Sequence, residues 1–267
     1  MTQIFSAKVG NAKLIGEHAG EGHSLVLLHA GVADRRMWRG QIADLSDSYH
    51  VVAYDRRGFG ETTTPDEAFS HLEDLRKVLE QQSITKASLI GCSQGSRIAI
   101  DFALAYPQIV AELVLIAPAI SGAPAPETFS TDVQELIAAL DEAEAANDIA
   151  RVNEIEAHLW LDGPMSSDRR VDGELRELFL DMNGIALRMP ELTQEIEPLS
   201  AYERMTDVRV PTLVISGELD FPFIKEQGQY LVERIPSAKG EEIRNTAHLP
   251  NFEKPQVVNK LLRDFLG

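Results

Sequence analysis

Residues Gly91-Cys92-Ser93-Gln94-Gly95 form a G-x-S-x-G pentapeptide between a short apolar run and a stretch of helical spacing. The run before it, Ala87-Ser88-Leu89-Ile90, suits a buried parallel strand. After it Ile98, Phe102 and Ala105, with Ile100 and Leu104, recur at helical intervals until Pro107 ends the pattern. A serine at such a strand–turn–helix corner, flanked by small residues, holds its hydroxyl on the tip of a strained elbow. The chemistry open to it is nucleophilic attack on a carbonyl. A serine hydroxyl is a poor nucleophile at neutral pH, so it needs a base that is itself oriented by an acid.

Hydrolases of this kind on a doubly wound sheet bring their partners in the order serine, acid, histidine. The chain supplies that order. The apolar run ending at Ile215 is followed by Ser216-Gly217-Glu218-Leu219-Asp220, and the last weak strand is followed by Asn245-Thr246-Ala247-His248. Both segments are expected beyond carboxyl ends of strands, where functional groups of open α/β sheets gather. Ser93, Asp220 and His248 are therefore expected to converge. Glu218 competes for the acid's role but lies closer to the strand. His18, His23, His50, His71 and His158 have no matching acid downstream and read as surface or structural residues. Cys92 is expected to pack as a small apolar group. An acyl-transfer site also needs oxyanion donors. Gln94, the residue after the nucleophile, is expected to give one N–H. The loop His29-Ala30-Gly31-Val32 is expected to give the other, from Gly31 rather than Val32.

The elements that must position these residues alternate along the chain. An opening hairpin is expected over 4–9 and 13–17, around Gly10-Asn11. Apolar runs at 25–28, 51–54, 88–90, 113–116 and 212–215, with a weaker one at 240–243, read as strands. Helices are expected at 37–45, 68–81, 96–106, 224–234 and 256–265. Alternation of this kind implies an α/β fold with a doubly wound, mostly parallel sheet. From Ser121 to Met205 the strands vanish, and helical spacing appears at 133–146, 149–161 and 175–187. That segment holds 19 Asp and Glu against 6 Arg and no Lys, a local balance of −13 within a chain of net charge −17. It is expected to be a helical cap (121–205) inserted into a core made of 1–120 and 206–267.

The remaining composition excludes function classes. At 267 residues and 44% hydrophobic content the chain is long enough for one large α/β domain with an elaboration, or for two small domains. The acidic balance argues against nucleic-acid partners and anionic membrane surfaces. The single cysteine leaves no internal disulfide and fits a reducing cytoplasm. No run of apolar residues is long enough to span a membrane, and Met1-Thr2-Gln3-Ile4-Phe5 lacks a signal-peptide pattern. No metal-site or nucleotide motif occurs, so neither a metal nor a cofactor is expected. Gly58-Phe59-Gly60 starts like a dinucleotide fingerprint, but Thr63 stands at the third glycine's place. A small-molecule substrate is the expected partner, with the chain a monomer or a homodimer.

Taken together, Leu27-Leu28-His29-Ala30-Gly31 with Met37-Trp38, Tyr54-Asp55-Arg56-Arg57-Gly58-Phe59-Gly60, Gly91 to Gly95, Gly217 to Asp220, and Ala247-His248 with Phe252-Glu253-Lys254-Pro255 resemble the α/β-hydrolase superfamily. The resemblance covers nearly the whole chain. It implies Ser93 as nucleophile, Asp220 as orienting acid and His248 as base, and it implies a structural turn without catalytic role at Asp55-Arg56-Arg57-Gly58. Ala30 departs from the pattern, because many relatives carry glycine there. Serine at the elbow disfavours the dehalogenases and epoxide hydrolases of the superfamily, which carry aspartate. The expected activity is hydrolysis of a small or medium-sized ester or lactone through an acyl-enzyme. Carbon–carbon hydrolysis of ring-cleavage products and a non-catalytic small-molecule receptor are the alternatives. Val32, Trp160, Met182 and Arg188 are candidate substrate contacts, with Phe179 and Met189 as further lining residues and Arg188 as a possible partner for a substrate carboxylate.

Overall fold

Side chains alternating along the apolar runs enter two separate cores, because successive strand residues point to opposite faces. Val26, Leu28, Val52, Tyr54, Leu89, Leu113 and Leu115 fill one core. Leu25, Leu27, Val51, Ala53, Ile90, Val114 and Ile116 fill the other. The computed structural model describes residues 1–126 and 128–267. The strands are β1 (Gln3–Val9), β2 (Ala12–Ala19), β3 (Ser24–Leu28), β4 (His50–Tyr54), β5 (Ala87–Cys92), β6 (Val110–Ile116), β7 (Thr212–Gly217) and β8 (Ala238–Ile243). They form one sheet in the order β1-β2-β4-β3-β5-β6-β7-β8. The β1–β2 and β2–β4 pairs are antiparallel, and every pair from β4 onward is parallel.

The helices are α1 (Arg39–Leu45), α2 (His71–Gln81), α3 (Gln94–Ala105), α4 (Thr131–Ala145), α5 (Ile149–Ala157), α6 (Glu174–Ala186), α7 (Pro222–Arg234), α8 (Pro250–Glu253) and α9 (Pro255–Leu266). Helices α2, α3 and α7 cover the first core through Leu75, Val78, Ile98, Phe102 and Leu231. Helices α1 and α9 cover the second through Ile42, Leu45, Val258 and Leu262. The sheet is therefore wound on both faces, and the fold is that of an α/β hydrolase. Between β6 and β7 the described residues carry α4, α5 and α6 and no strand of the sheet. Ala157, Leu161, Phe179 and Met182 of that insertion join the second core alongside Cys92 and Ile116.

Four local features differ from the sequence expectation. Helix α2 starts at His71, not residue 68, because the Ser70 hydroxyl accepts the Leu72 N–H at 3.3 Å as an N-cap. Phe69 instead pairs with the segment after α6, its N–H donating to Gln194 O at 3.2 Å. The first helix opens as a 3-10 turn at Arg35–Trp38. The helix expected over 149–161 widens into a π turn at His158–Asp162, where buried Asp162 accepts from Arg176 Nη1 at 2.8 Å and from Arg170 N at 2.9 Å. The one-turn helix α8 is too short to leave a periodic signal.

Two glycines allow the corner between β5 and α3. A Cβ on Gly91 would lie 2.3 Å from Gly95 O, and one on Gly95 would lie 2.0 Å from Leu28 O. Both contacts are with backbone, which cannot swing aside. Gly95→Ala should therefore lower stability by about 3 kcal/mol or more. The check is a urea-unfolding series; an unchanged midpoint would mean that the corner is looser than described.

Candidate active site

Ser93 stands between β5 and α3 with φ +54° and ψ −116°, a backbone conformation that a side chain rarely adopts. Neighbouring backbone holds it there. Its N–H donates to Ile116 O at 2.9 Å, and its carbonyl accepts from Ser96 N at 2.9 Å and Arg97 N at 3.1 Å. Ser96 Oγ ties back to Gly91 O at 2.7 Å. The Ser93 hydroxyl makes no capping bond to its own helix, so it remains available.

The loops after β7 and β8 meet. A Cβ on Gly217 would fall 1.8 Å from Ala247 O, so only glycine permits this approach. The contact brings Asp220 to His248, whose Nδ1 lies 3.0 Å from Oδ1 and 2.9 Å from Oδ2. Asp220 Oδ1 also accepts the Phe221 N–H at 2.8 Å, which fixes the carboxylate plane. Both side chains are buried. An imidazole gripped at Nδ1 keeps Nε2 as its free nitrogen for proton transfer. Glu218, the competing acid, instead accepts the Asn245 N–H at 2.7 Å. The His248 loop also touches the elbow, with Cys92 Sγ 3.7 Å from His248 O. Burial pushes the Cys92 thiol well up, and Asp220 adds to the shift, so this cysteine is chemically quiet.

Trp160, in the π turn, receives the His248 N–H on its carbonyl at 3.2 Å and stacks obliquely on the imidazole, ring centroids 4.6 Å apart. Trp160 therefore covers the histidine. Glu253 braces the same loop from below. It accepts the Ala247 N–H at 2.7 Å and pairs with Arg170 at 2.6 Å.

Gly31 and Gln94 are neighbours, since a Cβ on Gly31 would lie 2.8 Å from Gln94 Cδ. Among the described residues neither backbone N–H finds an acceptor, and the Val32 N–H is also free. Gln94 starts α3, where an unpaired N–H is expected and the helix dipole adds partial positive charge. A cavity of about 350 Å³ opens beside them, lined by Gly31, Gln94, Arg56, Phe59, Met189 and Leu192 among others. Of the expected substrate contacts, Met189 lines this cavity, and Val32, Trp160, Met182 and Arg188 do not. Val32 packs against the second core. Met182 is wholly buried within it. Arg188 is exposed and turns its guanidinium back onto Gly184 O at the end of α6. A second cavity of about 830 Å³, lined by Phe129, Val133, Phe221, Phe223 and Tyr230, adjoins the Asp220 loop. Among the described residues no three His, Cys, Asp or Glu side chains gather as a metal site would require. No helix among them is long and apolar enough to cross a membrane.

A family model for the α/β-hydrolase fold matches residues 23–255. The chain belongs to the α/β-hydrolase family. Relatives within it are distant. One is the 2-hydroxy-6-oxononadienedioate/2-hydroxy-6-oxononatrienedioate hydrolase of Comamonas testosteroni, 26% identical over 97% of this chain and 93% of that protein. Another is carboxylesterase YbfK of Bacillus subtilis (strain 168), 25% identical over 98% of this chain and 86% of that protein. Among solved structures, the enol-lactonase from Burkholderia xenovorans LB400 matches with a TM-score of 0.76 at 22% identity, covering 98% of this chain and 99% of that one.

Sequence reasoning did not single out Glu253 or Arg56 for a role at the site. Both stood inside quoted motifs, but their contacts, Glu253 with Ala247 N and Arg170 and Arg56 with Ala30 O and Gln94 Oε1, leave no spacing signal.

Glu253 also predicts a pH dependence. Burial raises its carboxyl from 4.5 to about 7, against the opposing pull of Arg170 and the Ala247 N–H. The folded state thus keeps a proton that the unfolded state releases. This contribution to stability is full below about pH 4.5 and is lost as pH rises towards 7. Glu253→Gln should flatten that slope by an amount on the order of 1–3 kcal/mol between about pH 5 and about pH 8. Urea midpoints of the two proteins at both pH values check this; identical slopes would contradict it.

Proposed function

We propose that the chain is a serine hydrolase that cleaves a small or medium-sized carboxylic ester or lactone through an acyl-enzyme. The observation that carries this reading is the buried Asp220–His248 pair, whose loop touches Cys92 at the end of β5, the residue before Ser93. In the reaction, Ser93 Oγ attacks the substrate carbonyl carbon as His248 Nε2 takes its proton. The carbonyl oxygen becomes an oxyanion held by the Gly31 and Gln94 N–H groups. The tetrahedral adduct then expels the alcohol, which takes the proton from Nε2. Water, activated by the same nitrogen, attacks the acyl-enzyme and releases the acid. Asp220 stays ionised throughout and offsets the imidazolium charge. The helices of 121–205 act as a cap over the substrate, and Met189 and Leu192 bring it to the cavity beside the oxyanion donors.

The likeness to a carboxylesterase along nearly the whole chain supports the ester reading. Hydrolysis of a carbon–carbon bond in a ring-cleavage product is the second reading, favoured by the Comamonas testosteroni relative. It would need a cation for the substrate carboxylate; Arg188, the expected one, is turned onto its own helix, while Arg56 and Arg97 line the cavity. A receptor that has lost turnover would not need the nucleophile to react.

Ser93→Ala should reduce hydrolysis of a p-nitrophenyl ester by about 10⁴-fold or more with the melting temperature unchanged. Asp220→Asn should lower kcat by roughly 10⁴-fold, because the imidazole loses its orientation. A fluorophosphonate should label wild-type protein at Ser93. Full activity in Ser93→Ala would refute the assignment, and a folded protein that resists labelling would favour the receptor. A parallel screen of esters, lactones and vinylogous diketones should show turnover of the first two classes above the third.

A further inference from the structure

Arg56 is 1% exposed, yet among the described residues no carboxylate lies within ion-pair distance of it and its Nε has no acceptor. Its neighbours behave differently. Arg57 is held by Asp74 at 2.8 Å and Glu67 at 2.9 Å, and Arg35 is held by Asp55. Burial lowers Arg56 to about 10, which still leaves it charged at neutral pH. Glu195 acts on it only from beyond ion-pair distance, and a buried cation with no carboxylate in contact is costly, so its placement calls for an account. Its contacts supply one. Nη1 and Nη2 both donate to Gln94 Oε1 at 3.2 Å, and Nη2 donates to Ala30 O at 3.3 Å. The guanidinium lies 4.6 Å from the Phe59 ring centroid, which fixes its plane.

The Ala30 carbonyl is shared by a second donor. The Arg56 backbone N–H donates to His29 Nε2 at 3.0 Å, so that nitrogen carries no proton. Burial holds His29 far below its ordinary range, with Arg56 adding to the shift, so the ring is neutral and its proton sits on Nδ1. Nδ1 then donates to Ala30 O at 2.8 Å. Ala30 O and the Gly31 N–H are opposite ends of one planar trans peptide and point in opposite directions. Two donors on the carbonyl therefore fix where the N–H points. A positive charge at the carbonyl end also polarises the peptide and strengthens the N–H as a donor.

We infer that Arg56 is a positioning residue for oxyanion stabilisation: it locks the Ala30–Gly31 peptide through the carbonyl and Gln94 through its amide, so that the two backbone N–H groups converge where negative charge develops. It borders the same cavity, but its Nη atoms are taken up by Gln94 Oε1 and Ala30 O. The inference rests on the serine-hydrolase reading and assigns a function to a turn whose sequence suggested only structure.

The test uses the full-length chain with Arg56→Met, Arg56→Lys and Gln94→Met, beside Ser93→Ala. In Arg56→Met, kcat for a p-nitrophenyl ester should fall about 100-fold while KM stays within about threefold. The inhibition constant of an alkylboronic acid, whose tetrahedral adduct on Ser93 carries an oxygen in the oxyanion position, should rise by a similar factor. Arg56→Lys keeps the charge but not the fork, and should recover about tenfold of the loss. Gln94→Met keeps its backbone N–H and loses only the side-chain acceptor, so it should cost roughly fivefold. Arg56→Met with kcat within about threefold of wild type overturns the role and leaves the Ser93 reading intact. So does a loss confined to KM, or to melting temperature with boronate affinity unchanged. Turnover that survives Ser93→Ala removes both. If Arg56→Met does not fold, unchanged boronate affinity in both Arg56→Lys and Gln94→Met overturns the inference.

Discussion

A single residue carries the chain from β5 into α3, and the site depends on how closely backbone packs around that corner. Gly95 lies against the carbonyls of Leu28 and His29, with room for no side chain at that point. The start of the helix is thereby pressed onto the end of the neighbouring strand β3. The same contact that forces Ser93 to φ +54° thus sets the Gly31 loop beside the Gln94 N–H. Ser93 and the Gly31 loop follow strands adjacent in the sheet, so the sheet itself fixes their spacing.

A second convergence brings His248 to Asp220. Glycine at position 217 lets the β7 loop press against the carbonyl of Ala247, and the Asp220–His248 hydrogen bonds follow from that approach. Glu253 holds the backbone just before the imidazole, and Trp160 covers its face from the helical insertion. Loops on an open sheet are otherwise its most mobile parts. Here the β7 and β8 loops are tied to each other by the buried Asp220–His248 pair, and the latter is tied to the insertion by the His248 N–H on Trp160 O.

The sheet and the sharp corner at Ser93 were legible because both depend on local signals. Buried parallel strands are short apolar runs, and the elbow needs small residues at fixed offsets from Ser93. What escaped the sequence depends on contacts between distant segments. Arg56 looks like part of a turn until its side chain is seen on Ala30 and Gln94, 26 and 38 residues away. Met182 and Arg188 fit a pocket lining by position alone, but one fills the core beneath the insertion and the other closes its own helix. The shift of α2 and the π turn before Gly163 were set by the Ser70 cap and by Asp162 meeting Arg176, neither of which alters hydrophobic periodicity.

The central claim is that the serine corner, the histidine loop and the β3 loop enclose one reacting carbonyl. A crystal structure of the protein inactivated by an alkyl fluorophosphonate tests it most directly. The account predicts phosphorus bonded to Oγ of residue 93, with a phosphoryl oxygen accepting hydrogen bonds from the backbone nitrogens of residues 31 and 94. An adduct on another residue, or a phosphoryl oxygen turned away from both nitrogens, would contradict it.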